Sequence, residues 1–103
     1  MYIYNITFHV SKDIEKEWLD YIKKHFIPKM LKSGLLESSL TSKVVTDDPQ
    51  GNSYSIQFKT RSKEILDQFI QKELEPILEE INQKFSPKMV YFATELDVIN
   101  TDE

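Results

Sequence analysis

Residues 2–10, Tyr2-Ile3-Tyr4-Asn5-Ile6-Thr7-Phe8-His9-Val10, alternate without interruption between two sets of side chains. Tyr2, Tyr4, Ile6, Phe8 and Val10 make one set; Ile3, Asn5, Thr7 and His9 make the other. A period of two carried by β-branched and aromatic residues is a strand with one face to bury. Residues 53–60 repeat the pattern, with Tyr54, Ile56 and Phe58 opposed to Ser55, Gln57 and Lys59. A weaker run at 36–46 places Leu36, Leu40 and Val44 on one side. The turn-forming stretch Asp47-Asp48-Pro49-Gln50-Gly51-Asn52 joins these two runs, which predicts an antiparallel hairpin. A fourth strand is predicted at 88–99. There Val90, Phe92, Leu96 and Val98 form the more apolar row, opposed to Tyr91, Ala93, Glu95 and Asp97.

Helical spacing fills the two gaps. After Ser11 or Asp13 as a cap, Ile14, Trp18, Tyr21, Ile22, His25 and Phe26 recur on one stripe. Pro28 lacks an N–H and disfavours helical geometry at Ile27, so a break or kink is expected there. A second short turn is expected from Lys29 to Ser33, stopped by Gly34. Ser62 caps the second helix, whose stripe runs from Ile65 through Leu66, Phe69, Ile70, Leu74, Ile77, Leu78 and Ile81 to Phe85. Pro76 lies inside that stripe and predicts a second interruption at Glu75.

The order is therefore β-α-β-β-α-β, an α+β chain. Two amphipathic helices covering one face of a four-stranded antiparallel sheet is the economical arrangement. Right-handed crossovers then give the ferredoxin-like fold. The sequence predicts one domain over residues 1–99 and a polar, frayed tail over 100–103.

Composition narrows the function classes. The chain has no cysteine, so disulfides, thiolate nucleophiles and iron–sulfur ligation are excluded. Net charge is −4, and Arg61 is the single arginine among 13 basic residues. That balance argues against a nucleic-acid partner or an anionic membrane surface. Only Gly34 and Gly51 are glycines, too few for a phosphate-cradling loop. Two histidines without HxH or HxxxH spacing predict no metal site. No cofactor is expected. The opening Met1-Tyr2-Ile3-Tyr4 is strand-like rather than signal-like, which predicts a cytoplasmic protein.

The face turned away from the helices is where function is expected. Alternation assigns it Ile3, Asn5, Thr7, His9, Ser55, Gln57, Tyr91, Ala93 and Glu95. That set is too polar for a core and too apolar for plain solvent, so a second subunit or a ligand is expected to cover it. Candidate cavity-lining residues are Asn5, Thr7, His9, Gln57, Tyr91 and Glu95, with His9 as the group able to act as a base near neutral pH. His25 reads as a packing residue at the edge of the helical stripe.

The strand from Tyr2 to Val10, Trp18 in the first helix, and the segment Phe26-Ile27-Pro28-Lys29-Met30-Leu31-Lys32-Ser33-Gly34 resemble dimeric α/β-barrel proteins of the antibiotic-biosynthesis monooxygenase type. The chain as a whole resembles a small bacterial family known as a domain of unknown function within that group. The resemblance implies a homodimer packed sheet to sheet. Haem-degrading members use an Asn on strand 1, a Trp on strand 3 and a His on the second helix. Asn5 matches the first, but residues 53–60 hold no Trp and residues 62–84 no His, so that activity is not expected. Two functions follow as expectations. The first is a non-catalytic dimeric module binding a small molecule or protein partner. The alternative is a cofactor-independent, monooxygenase-like enzyme acting on a small apolar or aromatic substrate in the sheet-face cavity.

Overall fold

The computed structural model describes residues 1–101. The expected tail begins within them, while Asp102 and Glu103 lie outside the described residues. The strands are β1 Tyr2–Ser11, β2 Ser38–Lys43, β3 Gly51–Thr60 and β4 Met89–Asp97. They form one antiparallel sheet in the order β2-β3-β1-β4, the ferredoxin-like arrangement. One face packs against two helical arms. The first arm is a 3-10 turn Lys12–Ile14, α1 Glu15–Tyr21, a π-turn Ile22–Phe26 and α2 Ile27–Leu31. The second is α3 Lys63–Phe69, a π-turn Ile70–Leu74 and α4 Glu75–Phe85.

The apolar row of β1 is the centre of the core. Tyr4, Ile6, Phe8 and Val10 are buried, as are Tyr54, Ile56 and Phe58 beside them on β3. Trp18 is fully buried, stands edge-on to Phe8 at 5.3 Å between ring centroids, and donates its Nε1–H to Met89 Sδ at 3.2 Å. It thus joins α1 to the first residue of β4. Phe26 meets Phe8 and Phe58 edge-to-face, extending the same aromatic cluster. Ser62 caps α3 by accepting from the Ile65 N–H.

Three expectations are refined or corrected. Each proline interrupts the regular α-helix, but as a distortion and not as a break: Ile27 has φ −61°, ψ −46° and Glu75 has φ −56°, ψ −51°, both helical. Each proline follows a π-turn that contains the residue four positions before it, Lys24 or Lys72. A proline ring clashes with that carbonyl in a regular helix, and a widened turn carries the carbonyl aside. Secondly, Leu40 and Val44 do not join Leu36 in the core. Leu36 is buried just before β2, while every residue of β2 is exposed. Gly34 does end the first arm as expected, at φ +78°.

The third correction concerns β4. Its register pairs Phe8 with Tyr91, Ile6 with Ala93 and Tyr4 with Glu95. Directly paired residues share a face, so Tyr91, Ala93 and Glu95 lie on the helical side. The more apolar row, Val90, Phe92 and Leu96, lies on the open side. Alternation in β4 gives two rows, but only the pairing decides which one faces inward.

Candidate functional site: the open face of the sheet

Cross-strand pairing arranges the open face in ranks. One rank reads Val90, His9, Ser53, Val44 from β4 across to the end of β2; the next reads Phe92, Thr7, Ser55, Ser42. The third reads Thr94, Asn5, Gln57, Leu40. In these ranks the two central strands therefore present a polar strip, flanked by Val90 and Phe92 on β4 and by Leu40 and Val44 on the β2 side, with Thr94 and Ser42 in the same outer rows. Phe92 is 63% exposed, Val90 62% and Leu40 61%.

The strip is internally hydrogen-bonded. Asn5 donates from Nδ2 to Thr7 Oγ1 at 3.1 Å and accepts from the Ser55 hydroxyl at 2.6 Å. His9 Nδ1 lies 2.9 Å from Ser53 Oγ, and its Nε2 lies 3.5 Å from Asp48 Oδ2. Gln57 borders a shallow depression with Ile3 and Leu40. Asn5, Thr7, His9 and Gln57 thus share one face, as alternation predicts.

Tyr91 and Glu95 are separated from those four by the sheet itself. Tyr91 packs against Phe8, and Glu95 lies 3.6 Å from Lys63 Nζ on the helical side. The Tyr4 hydroxyl there has its pKa raised by burial, then by the charge of Glu95 and by Tyr91. Two other polar clusters cross-link the helical layer. Glu15 accepts from the Tyr54 hydroxyl and from Asn52 Nδ2 at 2.7 Å. Those bonds, with Lys43 and Lys12 nearby, hold its carboxyl below the usual 4.5. Burial and that same carboxylate push Tyr54 up to about 12. Glu80 accepts from Lys29 and from Tyr21, and Tyr21 is likewise raised to about 12, first by burial. His25 is exposed and leans on the Tyr21 ring at 5.2 Å rather than packing inward.

Sequence reasoning missed Ser53 and Asp48 as neighbours of His9, and Val90 and Phe92 as part of the open face. The turn chemistry of residues 47–52 was plain, but which serine lies opposite His9 depends on strand register. The signal for β4 was Met89, a strand-initial apolar residue that the core needs for Trp18. Among the described residues, no group of three or more His, Asp or Glu side chains is placed to hold a metal ion, and no helix is long and apolar enough to cross a membrane.

Known structures repeat this architecture. Two crystal structures of dimeric ferredoxin-like proteins from an uncultured marine organism superpose on it. One has TM-score 0.72 at 18% identity, covering 100% of this chain and 99% of the other. The second has TM-score 0.71 at 10% identity, covering 98% of each. A NIPSNAP domain protein from Burkholderia xenovorans superposes with TM-score 0.68 at 9% identity, covering 100% of this chain and 99% of that one. At such identities the likeness is one of fold. No curated protein matches the chain. The family model described as a domain of unknown function (DUF4286) matches residues 1–99, nearly the whole length, and the chain belongs to that family.

Proposed function

We propose that the chain pairs with a second copy of itself, open face against open face, and that the polar strip enclosed between the two sheets holds a small molecule. The observation that carries this reading is the exposed row Val90, Phe92 and Leu96 beside a strip in which Asn5 is bonded to Thr7 and Ser55, and His9 to Ser53. An apolar margin of this kind is costly in water and is the usual mark of a covered surface. The bonds already made within the strip lower the cost of covering it.

Size supports the pairing. The molecule measures 38 × 32 × 19 Å, a slab one sheet and one helical layer thick. Its broad face offers on the order of 1,000 Å², above the roughly 800 Å² per partner of a standard interface. The fold neighbours described as dimeric are consistent with it. A two-fold axis makes the contact self-complementary, so one apolar row serves both partners.

Light scattering coupled to size exclusion tests the pairing. The unaltered chain is expected at twice its 12.2 kDa mass. Phe92→Asp places a charge in each copy of the seam and is expected to give a folded monomer. A monomeric unaltered chain at tens of micromolar, on the order of the affinity such an interface provides, sinks the reading. Native mass spectrometry of the purified dimer then reads out any stoichiometric small molecule.

A further inference from the structure

We propose that Ser53, His9 and Asp48 form a nucleophile, base and orienting acid that accept an acyl group from a small apolar ester or thioester. Ser53 and His9 are directly opposed on β3 and β1, with Oγ 2.9 Å from Nδ1. Asp48 faces the other ring nitrogen at 3.5 Å. A carboxylate only accepts, so Nε2 carries the hydrogen and Nδ1 is left as the acceptor for the serine O–H. That tautomer is the one that activates a hydroxyl.

The loop is built to keep this order. Asp48 Oδ1 accepts from the Gln50 backbone N–H at 2.9 Å, which turns Oδ2 toward His9. Gly51 lets the chain pass over the ring: a Cβ at that position would lie 2.2 Å from the Val10 carbonyl oxygen and 3.2 Å from His9 Nε2. The 3.5 Å between Asp48 Oδ2 and His9 Nε2 exceeds a good hydrogen bond by a few tenths of an ångström, and the proposed step needs it to close when substrate is bound. Thr7 stands one rank along the strip. Its oxygen accepts from Asn5, leaving its own proton to donate to a developing oxyanion. Val44 and Val90 close the rank on either side, which selects an apolar acyl chain.

The step balances within these groups and water. Ser53 Oγ attacks the carbonyl carbon, forming a C–O bond, and its proton passes to His9 Nδ1. The bond from that carbon to the leaving oxygen or sulfur breaks, and the leaving group takes the proton from Nδ1. Water, deprotonated by His9 Nδ1, then attacks the acyl carbon; the bond from that carbon to Ser53 Oγ breaks, Oγ takes the proton back from Nδ1, and the carboxylic acid is released. Asp48 is a positioning residue, since it acts through the ring. The site rests on the cavity reading only for its enclosure. Acylation is read on the chain and pairing on its mass, so the two fail separately.

The probe is p-nitrophenyl butyrate, followed by p-nitrophenolate release and by peptide mapping of the acylated protein. With no cysteine in the chain, thiol acylation cannot imitate the result. The expected outcome is a butyryl group on Ser53, absent in Ser53→Ala, with release slowed about a hundredfold or more in His9→Gln. Asp48→Asn is expected to lower kcat about tenfold with KM held, as loss of a transition-state contribution does. A fluorophosphonate on the unaltered chain should phosphonylate Ser53, which needs no variant to fold. Adducts confined to lysines, or equal labelling of Ser53 in His9→Gln, overturn the proposal; a change in KM alone for Asp48→Asn removes Asp48 from it.

Discussion

Trp18 shows how much one residue holds. It sits on the first turns of α1, fills the centre of the aromatic cluster and donates to a sulfur on β4. Trp18→Ala is expected to cost about 3–5 kcal/mol, a large share of a typical domain's roughly 5–15 kcal/mol. Urea melts check it, and an unchanged midpoint would remove Trp18 from the core. Gly51 holds its place by close approach rather than by handedness. Its absent side chain leaves room for the Val10 carbonyl, a backbone atom that cannot swing aside. Gly51→Ala is expected to cost about 1–3 kcal/mol, as overpacking does, and to disturb the loop beside His9. A stable, fully folded variant would show that the two strands separate there more easily than their spacing implies.

At the scale of the element, β1 and β3 were legible from composition and period alone, because each has one row that is plainly apolar. The prolines were legible as disturbances but not as π-turns. A propensity argument sees the missing N–H and not the neighbouring carbonyl that moves. Since the widened turn already accommodates the ring, Pro76→Ala is expected to gain less than the roughly 3 kcal/mol that an interior proline costs a regular helix. A full gain in denaturant melts would mean that the π-turn relieves nothing. In β4 the greasier row was read as the buried one. That inference is sound for a chain that folds alone and misleading for one with a surface left to cover. So Asn5, Thr7, His9 and Gln57 were legible as sharing a face, while Tyr91 and Glu95 were not correctly placed. Strand parity follows from sequence, but register follows from packing at Trp18 and Met89.

At the scale of the whole molecule, two phenols link the fold to pH. Tyr21 and Tyr54 ionise at about 12 in the fold against an ordinary 10.0. Between those values the folded chain binds more protons than the unfolded one, so stability is intact below pH 10 and is lost as pH rises toward 12. Glu15 and Glu80 act in the opposite direction: their lowered values add stability above about 4.5 that is lost as pH falls below it. Urea midpoints measured between pH 9 and 12 should fall, and Tyr54→Phe should fall less steeply across that range. Parallel slopes would show that the Tyr54 hydroxyl does not contribute.

The bonded polar strip has one more consequence. Asn5 is bonded to both Thr7 and Ser55, and His9 to Ser53, so most of the lining at the centre of the proposed chamber already has a partner within it. A guest must therefore displace contacts the lining makes with itself, and only molecules whose groups replace those contacts gain by entering. Discrimination would then come from competition with the lining's own bonds rather than from tightness of fit.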